Sequence, residues 1–141
     1  MAYIDQQGMV ERFGEDEIKR LTDRERTGSI NAEVLDRAIT DAQSEVDAYA
    51  GSRYTTPLAV VTDAVRRTTA DIARYRLYDE RCPETVRERY KEAIQFLTAV
   101  ANGRASLGNG PSGETAPGNA SIETVRSSAD RAFSLDNLRG F

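Results

Sequence analysis

The titratable side chains of this sequence restrict the chemistry that it could perform. Its 141 residues include 23 acidic and 19 basic side chains and a single cysteine, Cys82, but no histidine. Without histidine there is no Ser/His/Asp or Cys/His nucleophilic arrangement, and the usual proton carrier near neutral pH is missing. A lone cysteine also excludes an internal disulfide and every multi-cysteine zinc site. An enzyme with this composition would therefore have to use carboxylates, lysine or a bound hard cation.

One stretch, DRERTGSINAEV, imitates a calcium-binding loop. Asp23, Glu25 and Thr27 fall at its first, third and fifth positions, and Gly28 falls at the sharp turn. The twelfth position, where calcium needs a bidentate glutamate, is occupied by Val34. The spacing therefore favours a capped turn between two helices, with a small calcium-binding regulator as the alternative.

A glycine-rich stretch, GNGPSG, matches the dinucleotide-binding pattern through Gly108, Gly110 and Gly113. That pattern binds a pyrophosphate only when a strand precedes it and a helix begins at its third glycine. Here a predicted helix precedes the glycines and the sequence ETAPG follows them. We therefore interpret the stretch as part of a flexible loop or hairpin.

Charge is distributed unevenly along the chain. Residues 1–50 carry twelve acids and six bases, residues 51–141 carry eleven acids and thirteen bases, and the net charge is −4. An acidic chain is a poor candidate for a dedicated DNA-binding protein, although the basic stretch RERYK at 87–91 leaves a nucleic-acid-binding regulator as an alternative. The uneven charge indicates either ordinary solvated helix faces or complementary surfaces that meet between identical subunits.

Apolar spacing predicts a mainly α fold, a small helical bundle of about four to five helices. Two short helices are expected near residues 5–13 and 16–22, and longer ones near 32–50, 63–78 and 83–101. Their inward faces predict a core that contains Leu35, Ile39, Val46, Ile72, Tyr90, Ile94 and Leu97. No apolar run approaches the ~20 residues of a membrane span, and the N-terminus lacks the features of a signal peptide, so we expect a soluble, non-secreted protein.

The composition predicts three regions. Residues 1–103 form the helical domain, 104–121 form a flexible Gly/Pro loop or hairpin, and 122–141 form an extended C-terminal arm. The arm keeps four large apolar residues that a solvated tail does not need, namely Phe133, Leu135, Leu138 and Phe141. We predict that the arm docks on a partner, although a terminus can also fold back onto its own helices.

Arginine and tyrosine are concentrated in two stretches, DAYAGSRYTTPLAVV at 47–61 and DIARYRLYDER at 71–81. These residue types are enriched at protein interfaces, because they offer large, semi-rigid and amphipathic contact area. The candidates for a subunit interface are therefore Arg53, Tyr54, Tyr75, Arg76 and Tyr78. The alternative is that the arginines lie over the core of a monomer.

Four ordered stretches of the chain support a resemblance to a known family. They are YIDQQGMVERFGEDEIKRLTDR, LDRAITDAQSEVDAYAGSRYTTPL, DIARYRLY and AIQFLTAVANGRASLG. Together they resemble the Mu-like bacteriophage virion proteins of the head-to-tail junction, the head-tail adaptor (connector) family. The likeness covers nearly the whole chain and weakens only from 109 to 121.

The resemblance implies a structural role without chemistry: the protein would not be an enzyme and would have no catalytic residues, no metal site and no cofactor, in agreement with the missing histidine. It implies a homo-oligomeric ring, twelve-fold by that resemblance, which lies below the portal protein, extends the DNA channel and docks the tail through a tail-side connector or tail terminator protein. DNA would pass through the lumen without specific binding. The protein would be found in the virion at the head-tail junction, and in the host cytoplasm during assembly. A phage assembly factor that is absent from the virion is the alternative within this resemblance.

Overall fold

The computed structural model describes residues 2–78 and 80–108, and within these residues the chain folds into five helices and no strand. The helices are α1 (Gln6–Phe13), α2 (Glu15–Thr22), α3 (Ala32–Ala50), α4 (Asp63–Leu77) and α5 (Glu84–Ala101). The prediction of a small, mainly helical bundle is confirmed. The predicted arm, and the predicted loop beyond Gly108, lie outside the described residues.

Side chains cap three of the five described helices. Asp5 accepts a hydrogen bond from the Gly8 N–H, Asn31 caps α3, and Thr62 caps α4. These caps satisfy backbone donors that have no partner within the helix. Pro83 precedes α5 as its extended N-cap residue and makes no side-chain cap bond.

The three longer helices, α3, α4 and α5, each contact the other two. Helices α4 and α5 run antiparallel, since Tyr75 near the end of α4 stacks on Tyr90 in the first half of α5. Five of the seven predicted core residues are buried in this bundle: Leu35, Ile39, Val46, Ile72 and Leu97. The other two, Tyr90 and Ile94, are only partly buried and pack against the rim of the core.

The short helices α1 and α2 form a layer that contacts α3 and reaches α4 through side chains. Met9 and Ile18 are fully buried and anchor this layer. Phe13 at the end of α1 lies beneath the guanidinium of Arg74 at 4.5 Å, and the last turn of α2 lines a groove with Leu77. Because Gly8 and Glu11 line a depression with Asp63 and Arg66 at the start of α4, the layer runs in the same direction as α4.

The ordered bundle continues past the predicted boundary at residue 103. Leu107 is fully buried, its N–H donates to the Tyr54 hydroxyl at 3.1 Å, and its carbonyl accepts from the Thr62 hydroxyl at 2.6 Å. Residues 104–108, assigned to the loop from composition, thus pack against the start of α4. None of the five described helices combines the length and the apolar character that a membrane span requires.

Candidate functional site

The first cluster of polar side chains joins α2 to the end of α4 and is centred on Glu17. Arg74 donates from Nε to Glu17 Oε2 at 3.0 Å and from Nη2 to Oε1 at 2.7 Å, and the Tyr78 hydroxyl donates to Oε1 at 3.0 Å. Both charged side chains are only 16% exposed. Burial and the bond to Glu17 raise the pKa of Tyr78. We call this cluster the Glu17 clamp, because a bidentate arginine fixes the relative position of two helices.

A second cluster with the same chemistry joins α3, α4 and α5 and is centred on Glu45. Arg76 donates from Nη2 to Glu45 Oε2 at 2.6 Å, and the Tyr90 hydroxyl donates to Oε1 at 3.0 Å. The rings of Tyr75 and Tyr90 stack with centroids 4.0 Å apart and planes 11° from parallel. Burial, followed by the bond to Glu45, raises the pKa of Tyr90 to about 12. We call this cluster the Glu45 clamp.

Three interface candidates, on α4 and just after it, take part in the two clamps and so contact other parts of their own chain. Tyr78 belongs to the Glu17 clamp, whereas Tyr75 and Arg76 belong to the Glu45 clamp. Side chains of the stretch DIARYRLYDER therefore lie on two sides of α4 and contact other helices of the same chain. Arg76 keeps 40% of its side-chain surface exposed, so a contact with a second subunit stays a prediction for that residue.

The connection between α3 and α4 positions the remaining described candidates, Arg53 and Tyr54. Tyr54 is only 4% exposed, and its hydroxyl contacts Leu107 and Ser106. Tyr54 therefore packs at the end of the bundle, and little of its side chain is accessible to a second subunit. The Arg53 guanidinium lies directly over Gly103, where a side chain would collide with it. The four candidates of the arm, Phe133, Leu135, Leu138 and Phe141, lie outside the described residues.

Three residues that organise these contacts were not selected from the sequence. Glu17 and Glu45 centre the clamps, and Tyr3 bonds to Asp47 and Leu58. Their partners lie 57, 31 and 55 residues away along the chain. A glutamate on a helix surface looks the same in sequence whether it faces solvent or an arginine on another helix, so spacing alone gave no signal.

In the stretch that imitates a calcium-binding loop, the Asp23 carboxylate accepts hydrogen bonds from residues of the same loop. Asp23 Oδ1 accepts from the N–H of Thr27 at 2.8 Å and from its hydroxyl at 3.0 Å, and Oδ2 accepts from the Gly28 N–H at 2.7 Å. The bond from the Thr27 N–H is the main cause of a lowered pKa for Asp23. This geometry is that of a capped turn. No group of three or more potential His, Cys, Asp or Glu ligands occurs in the described ranges.

An arginine-rich groove of about 740 Å³ lies where the ends of α2 and α4 meet. It is lined by Arg20, Leu21, Arg24, Leu77, Tyr78, Glu80 and Arg81. Leu77 and the half-buried Leu21 give the groove an apolar floor, while the three arginines at its rim are exposed. We call it the arginine groove. It adjoins a smaller depression that shares Arg24 and Leu77 and adds Arg37 and Arg76.

A separate groove of about 360 Å³ between α4 and α5 holds Asp71. Burial raises the pKa of this carboxyl group, and Arg89 and Arg67 oppose the shift. The groove thus contains both signs of charge, which balance one another. Such a balanced groove offers no clear preference for an anion or a cation.

Comparison with known proteins gives a consistent result. The sequence model of the family described as Bacteriophage Mu, Gp36 matches residues 3–125. The chain is similar to the Mu-like prophage FluMu protein gp36 of Haemophilus influenzae, with 30% identity over 113 residues that cover 80% of each protein. It is also similar to Gene product J of Escherichia phage Mu, with 27% identity over 75 residues and 53% of each protein covered. Because the family match covers most of its length, the chain belongs to the Bacteriophage Mu Gp36 family, a family of Mu-like phage proteins.

Proposed function

We propose that this protein is a structural component of the virion that forms a ring at the head-to-tail junction of a Mu-like phage. The ring would lie below the portal protein, extend the channel through which DNA passes, and present a surface to a tail-side connector or tail terminator protein. The observation that carries the proposal is family membership over residues 3–125. Membership indicates a phage structural or assembly-related protein, and the resemblance of four ordered stretches to head-tail adaptors supports the finer role.

The described contacts are consistent with a mechanical role. The Glu17 clamp joins α2 to α4 through a bidentate, largely buried ion pair, which fixes geometry as well as adding energy, and the Glu45 clamp joins α3, α4 and α5 through single bonds to Arg76 and Tyr90. Glu17 and Arg74 are both 16% exposed, and Glu45 is 17% exposed. A ring subunit must hold its shape while DNA and neighbouring proteins exert force on it. We propose that the polar side chains of α4 serve this rigidity and that the protein is not an enzyme.

Protein composition of the particle tests the proposal. Virions purified by two successive density gradients are digested and analysed by quantitative mass spectrometry, with the portal protein as the internal reference. The proposed ring requires that the protein be present at a fixed ratio to the portal, near one copy per portal subunit. A non-structural phage enzyme measured in the same samples serves as the control for contamination.

A phage that carries an early stop codon in this gene provides the second half of the test. The proposal expects DNA-filled heads and free tails that do not join, with attachment restored by the gene supplied in trans. Absence of the protein from wild-type virions, combined with the same assembly defect, would instead identify a non-virion assembly factor. Normal tailed particles without the protein would reject both roles.

A further inference from the structure

We propose that the arginine groove is the receiving half of a subunit interface and that its occupant is the acidic α1–α2 segment of the next copy of this chain. The inference rests on the proposed ring, because it names the surface through which identical subunits meet. Charge on the described residues, and its placement along one layer of the fold, carries the argument.

The groove is a positive surface on an acidic protein. Its rim carries three exposed arginines against one glutamate, whereas the whole chain has a net charge of −4. Tyr78, whose hydroxyl donates to Glu17, lines the edge of the groove. An apolar floor below a charged rim suits a protein surface, because proteins supply apolar side chains together with carboxylates. A phosphate backbone makes no use of such a floor.

The complementary surface lies in the same layer of the same chain. Residues 2–17 contain five acids and one base, Arg12. Four of the acids are exposed, namely Asp5, Glu11, Glu15 and Asp16, while Glu17 is held in its clamp. The layer is therefore acidic along α1 and the first turn of α2, and basic at the end of α2 beside Arg81.

The direction of the layer decides the geometry of the contact. Because α1 and α2 run along α4 in series, the acidic segment and the arginine groove lie at different places along one axis, not opposite each other. One copy can therefore present its acidic segment to the groove of the next, and that copy can do the same. Such a head-to-tail contact is heterologous, and it forms a ring where the rotation between successive copies closes. Opposite charges on its two halves would set the register and speed association.

A charge-exchange experiment tests the interface. In one variant the groove is reversed by Arg20→Glu and Arg81→Glu; in a second the acidic segment is reversed by Glu11→Lys and Asp16→Lys. The cap residue Asp5 and the clamp residues stay unchanged, and circular dichroism melts confirm that both variants fold. Self-association of the full chain is followed by sedimentation velocity at low salt and at roughly 1 M salt, where the Debye length falls to ~3 Å.

The expected result is association of the wild-type chain at low salt, weakened at least tenfold by high salt. Each variant alone should associate at least tenfold more weakly than the wild type, and an equal mixture should recover wild-type association. Recovery in the mixture is specific, because the acidic groove of one variant then meets the basic segment of the other. The unchanged groove and the unchanged segment supply the alternate contact of the mixture, so only recovery beyond that single contact shows that the reversed charges attract each other.

Two results would overturn the inference. The first is a wild-type chain that stays monomeric at low salt, or variants that associate as the wild type does. The second is binding of a labelled DNA duplex that depends on Arg20 and Arg81, which would assign the groove to nucleic acid. The proposed virion role is judged separately by the composition of the particle. If the protein is present in the virion but its charge variants assemble normally, the proposed function stands and the proposed interface is rejected.

Discussion

The hydroxyl of Tyr3 accepts a hydrogen bond from the backbone N–H of Leu58 at 2.8 Å, across 55 residues of sequence. The same hydroxyl donates to the Asp47 carboxylate near the end of α3. Tyr3 is 1% exposed and Leu58 is 4% exposed. One phenol therefore ties the start of the chain to the end of α3 and to the connection that leads into α4.

Removing that hydroxyl should destabilise the fold without changing its shape. Tyr3→Phe keeps the ring but leaves the buried Leu58 N–H without a partner, which costs about 1–3 kcal/mol. Urea titration followed by circular dichroism measures this loss in the free energy of unfolding. Tyr49→Phe is the matched control, since it removes a hydroxyl from a half-buried ring outside this contact, and it should cost less than about 0.5 kcal/mol. Equal effects of the two changes would contradict the assigned role of Tyr3.

Alkaline pH should weaken the fold through the same tyrosine. Burial, followed by the bond to Asp47, raises the pKa of Tyr3 from 10.0 to about 12, and the pKa of Tyr90 is raised to about 12 as well. The folded state thus holds these protons more tightly than the unfolded state. Their contribution to stability is complete below pH 10 and is lost as pH rises from about 10 to 12.

Urea titrations at about pH 9, 10 and 11 measure this dependence. The free energy of unfolding of the wild type should fall more steeply over this range than that of a Tyr3→Phe, Tyr90→Phe double variant. Tyr49→Phe should follow the wild type. Parallel curves for the wild type and the double variant would show that other groups cause the alkaline loss.

The sequence predicted those parts of the fold that depend on local pattern. The 3.6-residue spacing of Leu35, Ile39 and Val46 identified the buried face of α3, and local hydrogen bonds make the cap at Asn31 recognisable. Contacts across the chain were not predictable in this way. Tyr54 was selected as an interface candidate because of its type, and its bond from the Leu107 N–H, 53 residues away along the chain, left no local signal in the sequence.

Glu17 and Arg74 should be energetically coupled. Both are largely buried, so Glu17→Ala leaves an uncompensated guanidinium and should cost about 3–5 kcal/mol. Arg74→Ala should cost a similar amount, and the double variant should cost clearly less than the sum. Thermal or urea unfolding of the four proteins completes the cycle, with a coupling energy of about 0.5–3 kcal/mol expected.

The exposed pair of Glu84 and Arg87 provides the control for this cycle. Their atoms lie 3.8 Å apart, and the side chains are 72% and 46% exposed. Such a pair is worth about 0–1 kcal/mol, so Glu84→Ala should be nearly neutral. A Glu17→Ala variant as stable as Glu84→Ala would mean that the clamp does not hold α2 against α4.

Gly103 and Arg53 should show a steric coupling. Gly103 has a φ of +76°, which costs a residue with a side chain about 1–2 kcal/mol, and an added Cβ would also collide with the Arg53 guanidinium. Gly28 has a similar φ of +82°, but no atom lies within 4 Å of the corresponding Cβ position. Gly103→Ala should therefore destabilise the fold more than Gly28→Ala does. Combining Gly103→Ala with Arg53→Ala should remove that excess, as measured by urea unfolding; an unchanged excess would place Arg53 elsewhere.

The segment RAFSLDNLRGF, residues 131–141, should act as a docking arm. Its four large apolar residues are Phe133, Leu135, Leu138 and Phe141, and they follow a sequence rich in glycine and proline. Burying each such side chain is worth roughly 1.5–3 kcal/mol, enough together to offset the ordering of a short arm on a neighbouring subunit or tail protein. Deleting residues 131–141 should leave the melting temperature of the isolated chain nearly unchanged and should abolish incorporation into tailed particles.

Point variants distinguish the contribution of the apolar side chains from that of length alone. Changing Phe133, Leu135, Leu138 and Phe141 to serine keeps the arm but removes the surface that a partner would bury, so it should reproduce the attachment defect of the deletion. Changing Arg131 and Arg139 to glutamine keeps the apolar surface and should leave attachment largely intact. A large fall in melting temperature for either the deletion or the serine variant would mean that the arm packs against its own helices, because only a contact within the monomer can lower the stability of the monomer.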